Sequence, residues 1–262
     1  MQQKTLDVID RLWYCVRICP YFWVTGRERD LMKWRSLEES AGATETRSLA
    51  EIFAERKELI AKYVPAEVQA IHERAIVEIR HSGIAGRALR SGDKAPVFEL
   101  ADQKGTPLRA ADLLRKGKLV LCFFRGRWCP FCVGQLEAMN AIFPQIQALG
   151  ALLVGVSPQT VHQSYLMADQ HRLRFPLLSD TANKVARQFG LVYRVPEYQQ
   201  EIYQRVFVNL PFANGDSSWE LPIPATYVID RDFTILYAAA NPDYTERPEP
   251  AEVLRTVAAM TT

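Results

Sequence analysis

Cys129 and Cys132 are separated by two residues in the run Trp128-Cys129-Pro130-Phe131-Cys132. Thiols at this spacing can cycle between dithiol and disulfide, and the thiolate form attacks oxidants and other disulfides. The flanking residues say where a thiolate should form. Leu119 to Phe124 (Leu-Val-Leu-Cys-Phe-Phe) is apolar, rich in strand formers, and reads as a buried strand. A short turn on Gly126 follows, and Pro130 suits the first turn of a helix, where its missing N–H is not needed. Cys129 is therefore predicted at a helix N-terminus, where free amides and the helix dipole favour an anion and lower a thiol pKa. Cys132, three residues on, faces the same side of that helix and is near enough to close a small disulfide ring. The expectation is a nucleophilic Cys129 with Cys132 placed to trap its oxidised form.

Arg125 and Arg127 flank the thiols, and either could lower a thiol pKa or bind a substrate oxygen. Arg127, nearer in sequence, is the preferred candidate. The alternative chemistry for such a pair is half of a zinc site, which needs a second Cys or His pair. The remaining cysteines (Cys15, Cys19, Cys122) and the 4 His are scattered, so neither a metal nor a cofactor is expected. Cys122 is expected in the core of its strand, Cys15 and Cys19 carry no assignment, and His162 and His171 are expected on the surface.

The elements that must position the pair follow from composition and pattern. At 262 residues, with 48% hydrophobic and 24% charged residues, the chain can bury a full core. A net charge of +2 gives no case for nucleic acid or an anionic membrane as partner. Five cysteines, an odd number, fit a reducing compartment with reactive thiols better than a disulfide framework, and the cytoplasm is the expected location. Leu12 to Val24 is apolar, but Arg17 and Pro20 interrupt it, and roughly 20 uninterrupted apolar residues are needed to span a bilayer.

Three segments are expected: an extension over 1–45, a helical pair over 46–90 and an α/β domain over 91–262. Leu49, Ile52, Phe53, Leu59, Ile60 and Tyr63, then Val68, Ile71, Ala75, Ile76 and Ile79, recur at near-helical spacing. The pair reads as a cover for the main domain or a contact in a homodimer. Beyond Asp93, strands and helices alternate. Strands are predicted over 96–101, 107–108, 119–124, 151–157, 175–178, 225–230 and 233–240. Helices are predicted over 131–149, broken near Pro144, and over 160–171, 181–189 and 250–260. This order implies a mixed sheet with helices on both faces. Tyr193 to Pro222 reads as irregular, with Phe212 and Trp219 as candidates for an apolar wall beside the site.

In this setting Trp128-Cys129-Pro130-Phe131-Cys132 after an apolar strand resembles the active site of the thioredoxin fold, and Ile223-Pro224-Ala225-Thr226-Tyr227-Val228-Ile229-Asp230 resembles the segment carrying its cis-proline. Three further pieces, Gly92 to Leu100, Val154 to Pro158 and Phe175 to Asp180, resemble the peroxiredoxins of the alkyl hydroperoxide reductase and thiol-specific antioxidant family. The resemblance is nearest to a subgroup with Arg-Gly-x-Trp-Cys-Pro-x-Cys and extends over about residues 90 to 260.

It implies an α/β thioredoxin-like fold with an α-helical N-terminal extension. It also implies a thiol-dependent peroxidase for hydrogen peroxide or organic hydroperoxides, with Cys129 and Cys132 recycled by thioredoxin or a similar dithiol. Pro224, cis and against the Cys129 sulfur, is implied in the same way. A general thiol–disulfide oxidoreductase and a non-catalytic redox sensor or binding module are the alternatives. The chain departs from the peroxiredoxin pattern Pro-x-x-x-Thr-x-x-Cys: with Cys129 as the nucleophile, Cys122 stands at the proline position and Gly126 at the threonine position. Pro224 replaces the family's active-site arginine, leaving Arg125 or Arg127 to supply positive charge.

Overall fold

The computed structural model describes residues 47–206 and 208–259. The expectations for residues 1–45, including Leu12 to Val24, Cys15 and Cys19, lie outside them. Helices α1 (Leu49–Tyr63), α2 (Ala66–His81) and the short α3 (Ile84–Arg87) lead into β1 (Glu99–Ala101), β2 (Pro107–Arg109) and α4 (Ala110–Lys116). The core of the chain is β3 (Leu119–Phe123), α5 (Pro130–Ala141), α6 (Phe143–Ala148), β4 (Leu152–Ser157), α7 (Val161–Gln170) and β5 (Leu177–Ser179). A 3-10 turn over Thr181–Asn183 precedes α8 (Lys184–Gln188), β6 (Val192–Arg194), α9 (Glu197–Arg205), α10 (Leu210–Asn214) and β7 (Glu220–Pro222). β8 (Ala225–Ile229), β9 (Ile235–Ala240) and α11 (Pro250–Ala259) complete the order.

Seven strands form one mixed sheet in the order β2-β1-β5-β4-β3-β8-β9. β3 runs parallel to β4, and β4 to β5, while β8 is antiparallel to β3. Every residue of β3 is buried, as expected for a central strand covered on both faces. One apolar cluster joins Val120, Phe124, Leu136 and Val253 to Leu49, Ile52 and Phe53 of α1. The other joins Leu119, Leu121 and Phe123 to Ile79, Ile84 and Phe189. The alternation along β3 thus feeds two cores, with α1 supplying apolar surface to the first and α2 to the second.

The sequence placed the strands of this sheet and α11 within a few residues. The expected helix over 131–149 is two helices, with Pro144 in the first turn of the second. The stretch from Tyr193 to Pro222, expected to be irregular, instead holds β6 paired with β7, together with α9 and α10. Among the described residues no helix is long and apolar enough to cross a membrane.

Candidate active site

β3 ends at Phe123, and Phe124 extends its course by donating its N–H to Val156 O (2.9 Å). The chain then turns through Gly126 at φ 150°. A Cβ at this position would stand 2.5 Å from Trp128 Nε1, so glycine lets the indole fold back over the turn. The turn closes with Cys129 N–H on Gly126 O (3.1 Å), and Cys129 caps α5 with Pro130 in the first turn.

Both thiols are buried, Cys129 at 2% and Cys132 at 0% exposure. The Cys129 sulfur makes no capping bond to the helix amides, and Arg125 Nη1 lies 3.8 Å from it. The Cys132 sulfur accepts the Arg125 backbone N–H (3.4 Å) and Arg247 Nη2 (3.3 Å). Burial, its hydrogen bond to Cys132 and the charge beside it push the Cys129 thiol well up. Cys132 moves the other way: burial opposes its ionisation, but the hydrogen bond from Cys129, the charges of Arg247 and Arg125, and the Arg125 amide together hold it well below the ordinary thiol range. Among the described residues, the expected helix-amide donors to the Cys129 sulfur are absent. A helix N-terminus lowers a thiol pKa through amides aimed at the sulfur; here the amides of Cys132 and Val133 bond the Cys129 carbonyl (3.1 and 3.0 Å), while the turn amide of Arg125 and the Arg247 guanidinium reach the second sulfur.

Arg125, not the preferred Arg127, makes the guanidinium contact to Cys129. Arg127 donates its backbone N–H to Gln159 Oε1 (3.1 Å) and its Nε to Gln163 Oε1 (2.7 Å). Arg125 is 2% exposed and donates Nη2 to the Tyr203 hydroxyl. Its guanidinium carbon lies 3.8 Å from the centre of the Tyr244 ring and 4.7 Å from that of Trp128. Cation–π contact and one hydroxyl take the place of a carboxylate. Burial raises the pKa of Tyr193, Tyr203 and Tyr244, which keeps these hydroxyls neutral.

His72 of α2 stands behind this cage, its Nδ1 3.1 Å from the Tyr244 hydroxyl and 3.0 Å from Gln199 Nε2. Burial and then the Arg125 charge press its pKa down to about 4. From α1, the buried Arg56 donates Nη1 to Pro130 O (2.7 Å), directly behind the thiols. It crosses α5 at Gly134, where a Cβ would stand 2.4 Å from Arg56 Nη1.

The remaining candidates separate. Pro224 is buried, but its peptide bond is trans, since no cis bond occurs among the described residues. The chain runs extended from β7 into β8, fixed by Ile223 N–H to Leu191 O (2.8 Å) and Asn241 N–H to Pro224 O (3.1 Å). That course needs no reversal at the proline. Cys122 lies fully buried in β3, with its pKa pushed up to about 12 by burial. His171 is not a surface residue: its Nδ1 lies 2.9 Å from Glu137 Oε1. Trp219 packs with Trp128, Tyr193 and Tyr203 in a third small cluster, whereas Phe212 is 59% exposed. Sequence reasoning missed Arg247, Tyr203, Tyr244, His72 and Arg56. Only Arg56 left a signal, as the polar member of the α1 series Leu49, Ile52, Phe53.

Comparison with known proteins decides the family. Residues 91–238 match the AhpC/TSA family, more than half of the chain. The chain belongs to that family. A putative peroxiredoxin of Mycobacterium tuberculosis is 35% identical over 103 residues, covering 39% of this chain and 67% of that protein. The crystal structure of peroxidoxin BcpB from the same species superposes with a TM-score of 0.51 at 28% identity, covering 66% of this chain and 98% of the other. The thiol-disulfide oxidoreductase ResA of Bacillus thuringiensis is 28% identical over 104 residues, covering 39% of this chain and 59% of that protein. The resemblance to peroxiredoxins and the thioredoxin-like fold are thereby established.

Proposed function

We propose that the protein is a thiol peroxidase that reduces hydrogen peroxide or an organic hydroperoxide through Cys129 and Cys132. Thioredoxin or a similar dithiol regenerates the pair in a reducing compartment such as the cytoplasm. The observation that carries this reading is two hydrogen-bonded thiols buried beneath two guanidinium groups, with no carboxylate bonded to either arginine among the described residues. A guanidinium beside a thiolate stabilises the attacking sulfur and the charge that develops on the leaving oxygen. Attack leaves a sulfenic acid, and the second cysteine condenses with it to the disulfide. Pro224, by the resemblance of its segment, is assigned to the wall of the same site. No nucleic acid, metal or organic cofactor enters this reading.

A general thiol–disulfide oxidoreductase is the second reading, favoured by the Cys-Pro-Phe-Cys spacing and the likeness to ResA. Burial weighs against it. A protein disulfide must reach the attacking sulfur in line, and sulfurs 2% and 0% exposed admit a small peroxide with far less rearrangement. The test is a paired assay: peroxide consumption coupled to thioredoxin and its NADPH-dependent reductase, beside reduction of a protein disulfide. Peroxide turnover that disappears in Cys129→Ser and Cys132→Ser is expected. Disulfide reduction without peroxide turnover would transfer the assignment to the second reading.

A further inference from the structure

We propose that Arg247 makes Cys132, rather than Cys129, the thiolate of the reduced pair, so that Cys132 attacks first and Cys129 donates the proton and then resolves. The location of the charge stands on geometry alone; the order of attack rests on the peroxidase reading.

Two touching, buried thiols cannot both ionise at modest cost, because like charges in a poorly solvated site repel strongly. One anion must be placed, and the donors decide where. Cys132 Sγ receives Arg247 Nη2 at 3.3 Å and the Arg125 N–H at 3.4 Å, besides its hydrogen bond with Cys129. Apart from Cys132, Cys129 Sγ receives Arg125 Nη1 at 3.8 Å and no other hydrogen-bond donor among the described residues. Arg247 is held in place by neutral acceptors: Nε donates to Gln135 Oε1 (2.8 Å), and Nη1 to the carbonyls of Tyr244 (2.6 Å) and Glu246 (2.7 Å). Three of its donors are committed to orienting the group and none to a carboxylate. Its charge is aimed at one sulfur.

The other polar groups around the pair do not reverse this balance. From the turn before α5, Arg125 is shared between both sulfurs. From α1, Arg56 donates to Pro130 O, with Glu137 of α5 as the carboxylate acting on it. From β6, α9 and the loop after β9, Tyr193, Tyr203 and Tyr244 stay neutral, as does His72 of α2 above about pH 4. Cys122 of β3 stays a thiol.

The chemistry then balances without another reactant. Cys132 thiolate attacks one oxygen of ROOH; the S–O bond forms, the O–O bond breaks, and the departing RO⁻ takes the Cys129 proton to leave as ROH. Cys129, now a thiolate, attacks the sulfur of the Cys132 sulfenic acid; the S–S bond forms, the S–O bond breaks and hydroxide leaves. Sulfur is oxidised by two electrons and the peroxide is reduced by two.

The test reads which sulfur carries the charge. The reduced protein is treated briefly with iodoacetamide across a pH series, and the label on each cysteine is mapped by mass spectrometry while ultraviolet thiolate absorbance is followed in parallel. Cys132 should be labelled first in the native protein. In Arg247→Met its labelling rate at neutral pH should fall about tenfold or more, with the absorbance step about one pH unit higher, and Arg247→Lys should recover part of the loss. Cys129 labelled first in the native protein, or a Cys132 rate indifferent to Arg247→Met, overturns the proposal. For the order of attack, dimedone should trap a sulfenic acid on Cys132 in Cys129→Ser after one equivalent of peroxide. A trap on Cys129 in Cys132→Ser with none in Cys129→Ser overturns that order. An Arg247-dependent Cys132 thiolate with no sulfenic acid in either variant upholds the charge assignment and removes the peroxidase reading beneath it.

Discussion

The turn from β3 into α5 and the layer packed over it solve different problems. The turn is local: a strand, a glycine, a tryptophan and a proline within twelve residues bring two sulfurs to the head of one helix. The layer is assembled from distant chain. α1 sends Arg56, α2 sends His72, β6 and α9 send Tyr193 and Tyr203, and the loop after β9 sends Tyr244 and Arg247. The turn supplies the reacting atoms, and the layer fixes their charge and removes water. A short motif can thus state that redox chemistry is present while leaving open which sulfur performs which step.

The sharpest way to separate the two regions is to remove the sulfurs. Cys129→Ser and Cys132→Ser should each abolish multi-turnover peroxide reduction, with thermal stability nearly unchanged because serine fits the space of the thiol. Turnover retained in either variant would show that the pair is not the redox centre. Next in size is Arg125→Met. It removes a buried cation bonded to no carboxylate among the described residues, and the Cys132 sulfur keeps its contact with Arg247. Peroxide turnover should fall about a hundredfold, the loss expected for one charge-assisted contact of about 2.7 kcal/mol. The midpoint of thermal unfolding should hold or rise. A large fall in both would mean that the cage of Tyr203, Tyr244 and Trp128 depends on the cation for its packing.

Physical reasons decide which of these parts could be read from the sequence. β3, the turn and the start of α5 are contiguous, and each carries a local rule: strand-forming residues, a glycine with positive φ, a proline at the first helical turn. α9 obeys the helix period too, since Gln199, Ile202 and Tyr203 form its buried face. One of those three is polar, however, and Pro196 sits at its cap, so apolar periodicity alone does not reveal it. Arg247 had no local signal at all. Its partner Cys132 is 115 residues away, and a loop reading Asp-Tyr-Thr-Glu-Arg-Pro looks like any solvated turn. Arg56 shows the converse: the α1 spacing points it inward, but its charge argues for the outside. It is buried because Pro130 O offers an acceptor and Gly134 leaves room.

That last contact gives the next test of how firmly the layer is attached. Gly134→Val would place a branched side chain where Arg56 Nη1 is 2.4 Å and Phe53 Cε1 2.9 Å from the Cβ position. Both neighbours belong to a buried face and have little room to retreat. Overpacking of this kind costs about 1–3 kcal/mol, read as a lower denaturation midpoint. Thiol reactivity should change with it, because the Arg56 bond behind Cys129 is lost. Unchanged stability would mean that α1 rides loosely on α5.

Acid should loosen the same layer through His72. Its pKa is 6.5 in the unfolded chain and about 4 in the fold, lowered by burial and then by Arg125. Between those values the unfolded state binds the extra proton, so stability falls as pH drops from about 6.5 and the loss is complete near pH 4. Two and a half units correspond to about 3 kcal/mol, reduced to about 2 kcal/mol at this half-buried position. A urea midpoint measured across that window should decline in the native protein and flatten in His72→Gln. A parallel decline in both would place the acid sensitivity elsewhere.

The smallest effect separates holding α1 from forming it. Ser48 accepts the Glu51 N–H (3.2 Å) while the Glu51 carboxylate accepts the Ser48 N–H (2.7 Å), a reciprocal cap of sequence-local origin. The same helix start also gives the N–H groups of Leu49 (3.0 Å) and Ala50 (2.8 Å) to the Glu249 carboxylate, from the loop that carries Arg247. Ser48→Ala should cost about 1 kcal/mol and leave Cys132 alkylation untouched, because the Glu249 tie still holds the helix against the loop. Glu249→Gln should cost no more in stability, since an amide oxygen can still accept one N–H, yet it should slow Cys132 alkylation by freeing the Arg247 loop. If the two substitutions affect thiol reactivity alike, the N-terminus of α1 acts on the site only through helix content, and the loop needs no anchor there.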